Sequence, residues 1–145
     1  MTEIQNRSKS EEAWFKHLEF IQNAITRMAR NSFLLKGWSL TLVAAAFALT
    51  INTPSVLLGL IALFPALAFW GLDAFYLRQE RLFRRLYEEV SANPDVVGAF
   101  SMKTGEYENS VQSWLRTAFS YSILGFHGVV VTVVVLASVL RLVFA

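Results

Sequence analysis

The chain has 145 residues, 54% hydrophobic and 14% aromatic, with a net charge of +2 and no cysteine, and its mean hydropathy is +0.43. That is too apolar for an ordinary soluble domain of this length, because a few helices cannot bury runs that are apolar all round, so a membrane protein is expected. The lack of cysteine excludes a disulfide framework, a thiolate metal site and a cysteine nucleophile.

Residues 1–11 are polar, mixed in charge and without period, and read as a flexible tail. From Glu12 the pattern changes. Trp14, Leu18, Ile21, Ile25 and Met28 recur at steps of four and three, forming one stripe of a helix whose other faces carry Lys16, Glu19, Gln22, Arg27 and Arg30. His17 lies on this helix and reads as solvated. Without a breaker the run passes into "FLLKGWSLTLVAAAFALTI" (33–51), about twenty residues and long enough to cross a hydrocarbon core. One continuous helix over 12–51 is expected, its first half in the cytosol and its second half in lipid. The apolar run starts too late for a cleavable signal and is expected to double as an uncleaved targeting signal.

"NTPS" (52–55) is a hairpin connection. A second span follows over 55–73, closed by Asp73, and runs on through "AFYLRQERLFRRLYEEV" (74–90). There Glu80 with Arg84, Arg84 with Glu88 and Arg85 with Glu89 stand four apart, as helix-stabilising pairs do. Residues 12–90 therefore form a long helical hairpin, with Pro65 a candidate hinge in its second span. Residues 91–113, with Pro94, Gly98 and Gly105, read as a cytosolic linker. Residues 114–144 carry a third transmembrane helix; its valines do not argue for a strand, since an open strand leaves its backbone unsatisfied in lipid. Arg27, Arg30, Lys36, Arg78, Arg81, Arg84 and Arg85 gather near the inner ends of the spans and only Arg141 at the outer. This places the N-terminus inside and the C-terminus outside. The fold class is an all-α, multi-pass membrane protein.

Lys36 interrupts the first span. Counted from the turn near Thr53, it lies 17 residues back and Asp73 20 forward, depths that differ by only ~5 Å at 1.5 Å per residue. Two readings stand: an interhelical pair between Lys36 and Asp73, or a lysine whose ammonium snorkels to the headgroups. The same count levels Arg30 with Glu80, and Glu19 with Arg84 or Arg85, as further pairs along the hairpin. His127, ten residues into the third span, is an intramembrane polar site, either an element of an ion path or an interhelical hydrogen bond. Trp38, Trp70, Phe75, Tyr76 and Trp114 fit an interfacial aromatic belt. The basic cluster "RQERLFRRLY" offers charge to anionic lipid or a phosphate, but its glutamates leave intrahelical pairing as the favoured role. No histidine pair has metal spacing, no glycine loop cradles phosphate and no nucleophile has an obvious base. Neither catalysis, a cofactor nor a metal is expected.

The segments "FIQNAITRMARNSFLLKGW" (20–38) and "FWGLDAFYLRQERLFRRLY" (69–87) resemble a group of small bacterial multi-span membrane proteins. That group is similar in plan to the SLATT-type transmembrane effectors of antiphage defence systems. The resemblance implies an oligomeric effector of the bacterial inner membrane that forms a pore or perturbs the bilayer when triggered. Three short spans cannot enclose a water-filled path, so a pore needs several copies, with Ser39, Thr41, Thr50 or His127 as candidate lining. The alternative is a non-catalytic membrane anchor or adaptor whose cytosolic two-helix stalk docks a partner, with Phe15, Leu18, Phe83 and Tyr87 as its apolar stripe. Expected partners are the lipid bilayer, further copies of the chain, and a cytosolic partner protein or signalling nucleotide; no nucleic acid is expected.

Overall fold

The computed structural model describes residues 2–49, 61, 63–93 and 100–144, with backbone alone for residues 2, 3, 141, 142 and 144. The described residues form helices and connecting turns, with no strand among them. The turn at 52–55, the first half of the second span, Thr50, Pro94 and Gly98 lie outside them.

The first helix, α1, runs over Thr2–Leu49, 48 residues and thus about 72 Å at 1.5 Å per residue, more than twice the ~30 Å of a hydrocarbon core. Residues 2–11, expected as a flexible tail, are its first turns. They hold Glu, Gln, Lys and Arg and no proline, and extending an existing helix through such residues costs little once it is nucleated. The second helix, α2, covers Leu63–Ala92. A 3₁₀ turn at Gly105–Ser110 leads to a short helix, α3, Trp114–Ala118, and then to α4, Tyr121–Phe144.

The order of contacts gives the directions. Trp14 Nε1 donates to the Val90 carbonyl at 2.9 Å, Lys36 meets Asp73, and Val43 packs with Ala66. Numbers rise on α1 as they fall on α2, so the two are antiparallel. Asp73 meets His127, and Ala66 meets Val130 and Val134, so α4 is antiparallel to α2 and parallel to α1. Three clusters stack along this axis. At one end Val43, Ala66, Val130 and Val134 join all three long helices. In the middle Ala74, Ala118 and Ile123 pack with Trp70 and Leu77. At the other end Ile21, Ile25, Leu86 and Val90 zip α1 to α2, flanked by Trp14, Leu18, Phe83, Tyr87 and Tyr107.

Two expectations are corrected here. The third transmembrane helix does not run unbroken over 114–144: it is interrupted at Phe119 and Ser120. The Ala118 carbonyl, which an unbroken helix would use internally, instead accepts from Trp70 Nε1 at 2.8 Å, and α4 restarts with the Ser120 carbonyl accepting from Ile123 and Leu124. His17 is not solvated. It is 4% exposed, and its Nε2 lies 2.9 Å from the Ser101 carbonyl, beside the Phe100 ring at 5.7 Å. Phe100 turns the chain there with φ of 60°, a left-handed backbone rare for so bulky a residue. The end of the linker is thus folded onto α1. The 3₁₀ turn sits on α2, and burial, then Glu89 and Glu106, push the Tyr107 phenol above its ordinary pKa.

Leu86 is 1% exposed within the lower cluster, whereas Phe15 is 62% exposed. Leu86→Ala should therefore cost about 2–5 kcal/mol and Phe15→Ala no more than about 0.5 kcal/mol. Reversible denaturation of the detergent-solubilised protein, followed by circular dichroism, separates the two.

Candidate functional site

On α1, Ser32, Lys36, Ser39 and Val43 follow at steps of four, three and four, which puts them on one face of the helix. That face meets α2 at Asp73. The neighbouring positions on α2 are small where helices approach: Ala66 and Ala74 are fully buried, and a Cβ on Gly71 would stand 3.4 Å from the Trp114 ring. Small residues of this kind let backbones come close enough for short polar side chains to meet across an interface.

Asp73 is 0% exposed, and both its oxygens have partners. Oδ1 accepts from the Ser32 hydroxyl. Oδ2 takes the Lys36 ammonium at 2.6 Å and His127 Nε2 at 3.0 Å. Lys36 also donates to Ser32 Oγ at 3.1 Å, closing a triangle. The carboxylate therefore binds one group from α1 on each oxygen and a third from α4. His127, also 0% exposed, stacks on Trp70 with ring centroids 6.2 Å apart and planes 10° apart. The Phe126 ring lies edge-on to it at 5.0 Å. Its Nδ1 and the Ser39 hydroxyl are buried without a hydrogen-bond partner among the described residues. Trp114 Nε1 donates to the Gly71 carbonyl at 3.1 Å, so α3 braces the same stretch of α2 from below.

Of the residues singled out in the sequence, the structure brings Lys36, Asp73 and His127 together. Lys36 keeps 23% of its side chain exposed while the carboxylate has none, so the ammonium bonds inward and its stem is part of the surface. Arg30 does not meet Glu80, which instead pairs with Arg84 one turn along its own helix at 2.7 Å. Glu19 meets neither Arg84 nor Arg85; Arg85 pairs with Glu88 at 2.8 Å. Ser39 is fully buried, whereas Thr41 is exposed and its hydroxyl returns to the Gly37 carbonyl at 3.0 Å. Ser39 and Thr41 thus occupy different sides of α1, and Thr50 lies outside the described residues. Pro65 is the third residue of α2 as described; a kink would show in the turn before it, which lies largely outside the described residues.

Ser32 and Trp70 belong to the site and were not legible as such. Ser32 stands one turn before Lys36, a spacing that marks it as the nearest group to share the ammonium. Trp70, assigned to an interfacial belt, is half-buried and links Asp73's helix to both α3 and His127. Among the described residues, no three His, Asp or Glu side chains converge where a metal could be held.

Two helices are long and apolar enough to cross a membrane, within Ile4–Leu49 and Tyr121–Leu140, and only 17% and 28% of their apolar stretches are buried. Phe33, Trp38 and Leu40 on α1 and Val129, Val133 and Leu136 on α4 all point outward. Comparison of the chain with family models, with curated proteins and with solved structures finds no match.

Removing Lys36 alone leaves a carboxylate buried without its cation, whereas removing both charges leaves an apolar contact. Lys36→Leu should lose about 3–5 kcal/mol, and Lys36→Leu with Asp73→Leu should recover most of it. The midpoints of thermal unfolding in detergent report both, and a single variant as stable as the native chain would show that the pair has no structural weight.

Proposed function

We propose that the chain is a non-catalytic, oligomeric effector of the bacterial inner membrane. Its outward-facing spans assemble copies in the bilayer, and its cytosolic stalk receives the trigger. The observation that carries this reading is the buried Asp73 cluster, which ties α4 to the α1 and α2 hairpin. A buried ion pair contributes little net stability, because desolvation offsets its Coulomb attraction. What it provides is a discrete contact that is either made or broken, and such two-state contacts are what a switching protein needs.

Membrane placement is supported by the two apolar helices with outward-facing side chains and by the Lys and Arg bias, which also gives the N-in, C-out orientation and the second span as the third crossing element. The setting in antiphage defence rests on the resemblance of residues 20–38 and 69–87. In one copy Ser39 and His127 are buried. A pore lined by either requires copies to assemble in a form in which the three helices have moved apart.

The anchor reading is favoured by one other feature. Ile4 is 79% and Phe15 62% exposed on the stalk portion of α1, apolar side chains that a docked partner would cover. Leu18, Phe83 and Tyr87 are already half-buried in the hairpin's own cluster and give that partner little.

Purified protein in planar bilayers, with its mass measured in detergent, tests the effector reading. Discrete unitary currents from an oligomer of defined size are expected, with conductance altered by His127→Phe. A single-copy species that never conducts, and that captures a cytosolic partner through Ile4 and Phe15, would replace this reading with the anchor.

A further inference from the structure

Between α2 and the segment that follows the 3₁₀ turn lies a cleft of about 290 Å³ whose walls carry three guanidinium groups, Arg81, Arg84 and Arg85, against a single carboxylate, Glu88. Ser110 and Gln112 close the opposite side. Each guanidinium has five N–H donors, and the internal contacts occupy only some of them. Arg81 spends Nη1 on Gln112 Oε1 at 3.0 Å and reaches Thr117 Oγ1 at 3.5 Å. Arg84 holds Glu80 and Arg85 holds Glu88, but their side chains are 59% and 52% exposed. Exposed pairs of this kind are weak enough to be re-formed around a stronger anion.

The depth of the cleft identifies that anion. Tyr121, 96% exposed at the start of α4, is the kind of residue that marks a membrane interface. His127, six residues further, is level with Asp73, about 9 Å inside that mark. Arg81 lies eight residues beyond Asp73 in the other direction, about 12 Å, and so falls some 3 Å outside the Tyr121 level. That is the headgroup layer. Leu115 and Phe119, which sit between the cleft and the span, are 62% and 63% exposed, apolar surface suited to acyl chains directly beside the guanidinium groups.

We propose that this cleft binds the phosphate of an anionic phospholipid, with Arg81, Arg84 and Arg85 holding the headgroup and the α3 elbow covering the first part of its acyl chains. Guanidinium forks match phosphate oxygens in paired hydrogen bonds. The bound lipid would brace residues 110–112 against α2 and, through Arg81 and Thr117, the elbow that leads into α4. The proposal rests on the membrane placement given above and not on conduction, so a silent bilayer experiment leaves it standing.

The test is native mass spectrometry of the full chain in detergent, offered phosphatidylglycerol or phosphatidylcholine with identical acyl chains. The anionic lipid should be retained at least tenfold more tightly. Arg85→Gln should weaken its retention about fivefold, and Glu88→Gln, which removes the carboxylate on the cleft wall, should strengthen it by a similar factor. Arg30→Gln, an equal loss of charge from α1 outside the cleft, should leave it unchanged. Equal retention of the two lipids, or equal losses from Arg30→Gln and Arg85→Gln, would overturn the proposal. So would inorganic phosphate bound with the same dependence on Arg85 while phosphatidylglycerol gains nothing over phosphatidylcholine, since the anion would then be a soluble one.

Discussion

The Asp73 carboxylate, closed off from solvent between three helices, is the constraint that the remaining packing has to satisfy. Moving such a group out of water costs several kcal/mol, and the cost is met only with a cation and further donors close by. Ser32, Lys36 and His127 supply them. Because the donors come from α1 and α4 and the acceptor from α2, the heights of all three helices are fixed at one level. A slide of one helical turn, about 5.4 Å, would leave the charge buried and unpaired. Apolar contacts alone set no such register, since one valine layer packs nearly as well as the next.

Above and below that level the same helices are held by different forces. If the apolar stretches lie in lipid, as proposed, the solvent there is as apolar as the side chains, so burial would drive little and close approach would matter more. This accounts for Ala66, Ala74 and Ala118 at the contacts and for the short reach from Gly71 to Trp114. At the Trp14 end of the hairpin, where charged side chains surround the contact, burying Ile21, Ile25, Leu86 and Val90 from water would gain roughly 25 cal/mol per Å² of apolar surface. Tryptophan indoles join the two regimes. Trp14, Trp70 and Trp114 each donate to a main-chain carbonyl, the first two near the ends of α2 and α3 and the third within α2.

How much of this could be read from the sequence depended on whether rise along a helix or direction around it was at issue. Rise is fixed at 1.5 Å per residue, so counting from one turn puts Lys36 near Asp73 with no further knowledge, and the structure has them 2.6 Å apart. The same count levels Arg30 with Glu80, but height says nothing about which way a side chain faces, and Arg84 on the same helix lies closer to Glu80. His127 stood out as polar in an apolar run. Its partner did not, because the register of α4 depends on a linker whose path is not helical. His17 was misplaced for the same reason: only the fold of the linker puts Ser101 over it, and nothing local announces the positive φ at Phe100. The break at Phe119 and Ser120 carries no glycine or proline, and it follows from a bond made by Trp70, 48 residues away.

The polar groups of the spans point to how such a subunit is poised. Ser39, Asp73 and His127 are each 0% exposed, whereas Phe33, Leu40, Val129, Val133 and Leu136 face outward. In one copy these hydrophilic side chains are thus folded inward. Among the described residues the Ser39 hydroxyl and His127 Nδ1 are two of four buried polar atoms without a partner, with Arg78 Nε and Ser120 Oγ, and an unmade hydrogen bond of this kind costs ~1–3 kcal/mol. Water or a polar group from another copy would satisfy both, and neither can reach them while the helices stay closed. In the proposed effector, the closed form would be penalised at the groups that an open assembly hydrates, which would narrow the gap between the two forms. The Asp73 contacts would oppose that penalty, because the His127 to Asp73 bond ties α4 to the hairpin.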